Sequence, residues 1–229
     1  MRRRRLSCTL GVMQIAIYLY DHMTALDAVG PYEVLSRLPG IEIAFVGDQR
    51  GPVRCDTRQL ALVADATLDE VSEPEIVFVP GWSGSPQTDL LSPGTLHDWL
   101  HHVDRHTTWT TSACTGSVIL ASAGLLRGRR ATTHWLAADE LARHRALPTD
   151  ERVVFDDKYV TAAGVSAGID MALTLAGRIA DESTAQAIQL GIEYDPQPPF
   201  DSGSAAKAPG EIVEAMTAVR DFILFGRAG

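Results

Sequence analysis

Apolar and polar positions follow two rhythms along this chain. Short runs rich in β-branched and aromatic residues, "QIAIYLY" (14–20), "IEIAFVG" (41–47), "EIVFVPG" (75–81) and "WTTSA" (109–113), predict strands. Between them "TALDAVGPYEVLSRL" (24–38) and "GTLHDWLHHVDRH" (94–106) predict helices. In the second, Leu96, Trp99, Leu100 and Val103 form the i, i+3, i+4, i+7 stripe of a core-facing helix. Strands alternating with helices predict a mostly parallel sheet covered on both faces, an α/β sandwich of three layers. "PVRCDTRQLALVADATL" (52–68) and "RVVFDDKYVTAAG" (152–164) read instead as hairpins. Helices follow at 166–181 and 182–194, then a Pro/Gly/Ser-rich surface strap over 195–210 and one final helix. With no internal repeat, heptad or long linker, residues 13–229 read as a single domain after a tail of residues 1–12.

That tail changes the picture only slightly. "MRRRRLSCTLGVMQIAIYLYD" places a basic run before an apolar one, the outline of a secretory signal. The apolar part is short, meets Asp21 directly and lacks an A-x-A-like cleavage site. The reading is a disordered basic tail before the first core strand, with Met13 as an alternative start.

Composition excludes several function classes. At 229 residues the chain is long enough for a full core, and 45% hydrophobic with 21% charged residues is ordinary globular composition. A net charge of -9 argues against a general nucleic-acid binder, which needs cations to neutralise phosphates. Nothing points to a membrane protein. Cys8, Cys55 and Cys114 are too few and too scattered for a disulfide framework or zinc cluster, so a reduced, cytoplasmic setting is expected. His97, His101, His102 and His106 share one helix, but no cysteine or carboxylate completes a metal site, and a solvated helix face is expected.

One cysteine carries candidate chemistry. In "TTSACTGSVILASAG" (110–124), Cys114 stands where a predicted strand turns into a predicted helix. A nucleophile held on such a corner needs small residues two before and two after it, here Ser112 and Gly116. The N-terminus of the following helix favours negative charge, so a thiol there is expected to have a lowered pKa. Most lone cysteines are buried hydrophobes, and Cys55 is read that way. Asp27 lies in the apolar segment 25–29, where desolvation would favour its protonated form and let it donate a proton. Glu33 is placed at the surface. "VPGWSG" (79–84) predicts a tight loop whose N–H groups at Gly81 and Trp82, with Thr115, are candidates for anion or substrate-nitrogen stabilisation.

"SACTGSVILASAGLLRGRRATTHW" resembles the nucleophile-elbow segment of the ThiJ/PfpI superfamily, with its flavodoxin-like, class I glutamine amidotransferase-like fold. "TALDAVGPYEVL" (24–35), "GVSAGIDMALTLA" (164–176) and "EYDPQPPFDSGS" (193–204) are similar to its isonitrile hydratase branch. The resemblance implies Cys114 as nucleophile and Asp27 as its proton partner. Gly81, Trp82, Thr115, His134 and Val165 would bind a small-molecule substrate, with a packed, hydrogen-bonded histidine as the equal alternative for His134. It also implies a homodimer, no metal and no cofactor. The expected activity is hydration of isocyanides to N-substituted formamides through a covalent thioimidate. Relatives with histidine directly after the cysteine act as peptidases; here that position is Thr115. Where relatives carry a double glycine, as in "GGTG", this chain has Gly81 and Trp82, which would narrow the pocket or add an aromatic wall. Three alternatives stand beside the hydratase. One is a small-molecule or redox-sensing domain related to the N-terminal domain of AraC-type regulators. Another is an amidase or glyoxalase-like hydrolase of the same fold. The third is an interaction protein with a vestigial site.

Overall fold

Seven strands build the central sheet. In this computed structural model, which describes residues 12–84 and 88–226 (the side chains of 88 and 89 excepted), the first half of the chain contains β1 (Met13–Tyr18), α1 (Ala25–Leu35), β2 (Ile41–Gly47), β3 (Gly51–Arg54), β4 (Ala61–Ala64), β5 (Ala66–Thr67), β6 (Ile76–Val79), α2 (Thr95–Asp104) and β7 (Trp109–Ala113). Then come α3 (Gly116–Ser122), β8 (Arg130–Ala131), α4 (Ala138–Arg143), β9 (Leu147–Pro148), β10 (Val153–Asp156) and β11 (Tyr159–Ala162). The chain closes with α5 (Ala167–Ile179), α6 (Glu182–Gly191), α7 (Gly210–Ala218) and α8 (Arg220–Phe225). The predicted tail lies outside the described residues, except for Val12.

The sheet order is β10-β11-β7-β6-β1-β2-β5, and only β10 runs antiparallel to its neighbour. Parallel strands covered on both faces read as unbroken apolar runs, and every residue of β6, Ile76–Val79, is fully buried. Around β6 lie Ile15, Ile17, Leu100, Ile119 and Leu120, also without exposure. Burying one such side chain contributes about 1.5–3 kcal/mol, so this layer holds the sheet and its covering helices together. Helices α1 and α5 approach closely because their contact is built on glycine: a Cβ on Gly30 would meet Ile169 at 3.0 Å, and one on Gly168 would meet Pro31 at 3.1 Å.

Several sequence expectations change. The final helix is two helices, α7 and α8, meeting at Val219. The strap over 195–209 is exposed and carries neither helix nor strand, as its proline and glycine content predicts. His97 is not solvated: it is buried, with Nε2 bonded to the Leu90 carbonyl at 3.1 Å and near Ser122 Oγ at 3.2 Å. Its neighbours on α2 fill the core, and one turn of helix brings position 97 under the loop at Leu90. His101 and His106 are exposed and His102 is half-buried. Among the described residues no helix is long and apolar enough to cross a membrane.

Topology places the site. After β1 the chain moves to β2 on one side, whereas β6 leads to β7 on the other. At such a switch point the connections diverge and leave a crevice at the carboxyl ends of the strands. Tyr20, Asp27, Gly81 and Cys114 follow those ends.

Candidate active site

Cys114 stands directly after β7 with φ of 54°, in the left-handed region. A non-glycine residue there costs about 1–2 kcal/mol, so surrounding bonds must hold it. Its N–H points at the carbonyls of Ala162 (3.1 Å) and Ala163 (2.8 Å) at the end of β11. Its own carbonyl accepts from Thr133 Oγ1 (3.0 Å) and Ser117 Oγ (3.2 Å). The small residues of the elbow have steric reasons. A Cβ on Gly116 would fall 2.8 Å from the Pro80 carbonyl oxygen and closer still to that of Val79. One on Gly81 would meet Thr115 N at 2.6 Å and Cys114 Cβ at 2.8 Å.

Asp27 approaches from the first turn of α1 and is fully buried. Its Oδ2 accepts the Gly81 N–H at 2.9 Å, while Oδ1 is buried and makes no conventional hydrogen bond among the described residues. Burial raises its pKa from 3.8 to about 7, against the lowering effects of the Gly81 N–H and the Cys114 thiol; the Asp56 charge adds a smaller upward push. Cys114 is 3% exposed, and burial followed by the Asp27 charge pushes its thiol well above the ordinary thiol range. The Thr115 N–H and hydroxyl oppose that shift. Each group therefore perturbs the other directly.

This corrects the expectation of a lowered thiol pKa. The seven-residue α3 supplies a favourable dipole of at most about 1–2 kcal/mol, whereas full burial can move a thiol or carboxyl by roughly 3–5 pKa units. Burial thus disfavours the charged form of both groups.

The Pro80–Trp82 loop is held by bonds within the protein. The N–H of Gly81 is committed to Asp27, and that of Trp82 donates to Thr115 Oγ1 at 2.7 Å. Thr115 Oγ1 in turn donates to the Trp82 carbonyl at 3.0 Å. The two N–H groups expected to stabilise a substrate anion are spent on shaping the site instead. Trp82 is buried, and its Nε1 donates to the Leu224 carbonyl of α8 at 2.7 Å. Gly84 N–H donates to the Ile223 carbonyl at 2.6 Å, so α8 is fastened to this loop twice. On its far side, Arg220 of α8 donates to the Leu136 carbonyl (2.7 Å) and pairs with Glu140 (3.0 Å).

His134 is partly buried, accepts the Leu136 N–H on Nδ1, and loses proton affinity through burial. Its ring lies against Gly164, two residues beyond β11, where a Cβ would come 3.4 Å from its Cδ2. Val165 is half-buried in the turn before α5. Glu33 lies toward the surface, paired with Arg37 at 2.7 Å, and Cys55 is fully buried.

Sequence reasoning missed three residues of this neighbourhood. Tyr20 is buried, donates its hydroxyl to the Pro80 carbonyl at 2.7 Å, and feels the charges of Asp27 and Cys114. Thr24 N–H donates to the Gly81 carbonyl at 2.8 Å, and its hydroxyl bonds Asp56 at 2.9 Å. Thr133 holds the Cys114 carbonyl. Thr24 and Thr133 stand inside the quoted motif segments without a role assigned to them there, and Tyr20, at the end of an apolar run, carried only a positional signal.

A buried thiol on a strained strand-to-helix corner, faced by a buried carboxyl from the first helix, defines a cysteine-elbow α/β protein. The chain belongs to the DJ-1/PfpI family, which matches residues 13–178. It is 40% identical over 202 residues to the isonitrile hydratase of Pseudomonas putida, covering 88% of this chain and 87% of that one. A solved ThiJ/PfpI family protein from Pseudomonas syringae, 36% identical, matches its fold with a TM-score of 0.88 over 97% of this chain and 93% of the other. The HTH-type transcriptional regulator CdhR of Pseudomonas aeruginosa is 36% identical over 129 residues, 55% of this chain and 37% of its own.

Proposed function

We propose that this protein hydrates isocyanides to N-substituted formamides, with Cys114 as nucleophile and Asp27 as proton carrier. The observation that carries the reading is the 40% identity to an isonitrile hydratase over nearly the full length of both chains. The buried Cys114–Asp27 pair supports it with a chemical rationale.

Asp27 as carboxylate takes the thiol proton while the sulfur bonds to the terminal carbon of R–N≡C. The acid then returns that proton to the same carbon, giving the thioimidate R–N=CH–S–Cys114. Water adds to this carbon, with one of its protons passing through Asp27 to the nitrogen. The tetrahedral R–NH–CH(OH)–S–Cys114 collapses: the hydroxyl proton returns to sulfur, the C–S bond breaks and R–NH–CHO leaves. Two moderate additions replace one difficult one. Every proton moves between Asp27, sulfur, water and substrate, so the cycle calls for no metal or organic cofactor. Thr115 steadies the anionic sulfur through its N–H, its hydroxyl being engaged with the Trp82 backbone. Gly81 and Trp82 shape the pocket through their backbone, and His134 and Val165 line it on the β11 side.

Formamide production from an aryl isocyanide, followed for wild type, Cys114→Ala and Asp27→Asn, tests the reading. Turnover in wild type and loss in both variants is the expected result. No wild-type turnover, with Cys114 still alkylated, would overturn it.

A second reading, a small-molecule sensing domain, is favoured by the match to the regulator CdhR. A ligand that raises the melting temperature without being consumed would support it. We further propose a cytoplasmic homodimer that binds neither nucleic acid nor membrane. Helix α7 has no buried residue, and Ile212, Met216, Val219 and Phe222 are exposed, an apolar surface suited to a second copy. Sedimentation that finds only monomer would reject the dimer.

A further inference from the structure

The peptide unit joining Pro80 to Gly81 is gripped at both ends. Its carbonyl oxygen accepts the Tyr20 hydroxyl at 2.7 Å, and its N–H donates to Asp27 Oδ2 at 2.9 Å. A peptide is rigid and planar, so these two groups turn together. The next unit is held the same way, by the Thr24 N–H on its carbonyl and by Thr115 Oγ1 on its N–H. Tyr20 itself cannot drift: it is 5% exposed, and its ring stacks on Tyr18 with centroids 5.3 Å apart.

From this geometry we infer that Tyr20 is a positioning residue for the Cys114–Asp27 pair, acting through the Pro80–Gly81 peptide to aim the Gly81 N–H at the Asp27 carboxylate. The inference rests on the reading of Asp27 as the proton carrier. Its test uses chemical alkylation, which needs no isocyanide.

The consequence is electrostatic. The Gly81 N–H favours the ionised carboxylate and opposes the burial that disfavours it. Without the Tyr20 hydroxyl, the Pro80 carbonyl loses its side-chain partner and the peptide is free to tilt. Asp27 then holds its proton more strongly. The other titratable groups around Asp27 are Asp56, which follows β3, and Cys114, which follows β7. On α5, packed against α1, Asp170 is paired with Arg152. Asp56 is held by Thr24 Oγ1 and the Thr57 N–H, which do not depend on Tyr20.

The experiment is the pH profile of Cys114 alkylation by iodoacetamide in wild type and Tyr20→Phe. The expected result is an upward shift of the lower apparent midpoint by about one pH unit, a tenfold change in proton affinity. A tyrosine that merely fills space would leave the midpoint in place, and that outcome overturns the inference. Should Tyr20→Phe fail to fold, the wild-type Gly81 amide tests the Gly81–Asp27 link without which the inference cannot stand. Its proton resonance should titrate with Asp27 near neutral pH, and a resonance unmoved across that range overturns the inference as well. Because neither readout involves isocyanide turnover, a failed hydratase assay leaves the outcome interpretable.

Discussion

Gly116 lies under Val79 so closely that its α-carbon has no room for a side chain: an added Cβ would enter the carbonyl oxygen of Val79 and stand 2.8 Å from that of Pro80. Both obstacles are backbone atoms at the end of the most deeply buried strand, and neither can rotate away. Gly116→Ala should therefore cost at least about 3 kcal/mol, the upper range for overpacking. Urea unfolding checks this. A variant with the wild-type midpoint would contradict the packing described for the elbow.

At Cys114 the usual ranking of alanine above glycine should reverse. With φ of 54°, every side chain bears the left-handed penalty and glycine does not. Cys114→Gly should be more stable than Cys114→Ala by about 1 kcal/mol, with turnover absent in both. Paired chemical denaturation of the two variants measures the difference, and an alanine variant that is the more stable would show that the strain is not there.

Asp27 should trade stability for activity along one titration. Its folded pKa, about 7, stands above the value of 3.8 for a free carboxyl. The folded state therefore keeps this proton longer than the unfolded chain. Stability from this group is complete at low pH and is lost as pH rises from about 4 to about 7, by up to roughly 4 kcal/mol. Asp27→Asn should thus gain on wild type across that window and level off above it. Turnover, which needs the carboxylate to accept the thiol proton, should rise through the same window. Urea midpoints and rates measured from pH 4 to pH 8 test both; a stability difference independent of pH would rule out the buried-acid account.

Trp82→Phe removes the donor that fastens the Leu224 carbonyl while keeping most of the ring's volume. The Gly84 bond and the Arg220 contacts remain, so α8 should loosen rather than detach. Losing one neutral hydrogen bond of about 1 kcal/mol predicts roughly fivefold faster labelling of Cys114 by a bulky thiol reagent. Melting should change little. Unchanged labelling would mean that α8 does not govern access to the cysteine.

Much of this was legible along the chain because it is local. The runs at 14–20, 41–47, 75–81 and 109–113 overlap β1, β2, β6 and β7, because β-branched and apolar residues cluster in strands of a covered sheet, most completely in the fully buried β6. Ser112, Cys114 and Gly116 signalled the corner because crowding at such a turn restricts residues within two positions of it. The final helix is less legible: 210–225 is apolar enough for one helix, and its break at Val219, beside Arg220 held to Leu136 and Glu140, is visible only in the fold.

The sequence by itself determined the layered α/β architecture, the position of the thiol and the apolar setting of Asp27, all consequences of short-range sterics and hydrophobic pattern. Only the tertiary structure decided what surrounds them. It buried His97 beneath Leu90, turned the Gly81 N–H toward Asp27, put Tyr20 behind that peptide and tied Trp82 to α8. It also reversed the expected direction of the thiol's pKa. The reason is that proton affinity depends on the water and charge within a few ångströms of an atom. For Cys114 those neighbours come from the segment after β1, from α1, from the loop after β6 and from the end of β11, elements that only folding brings together.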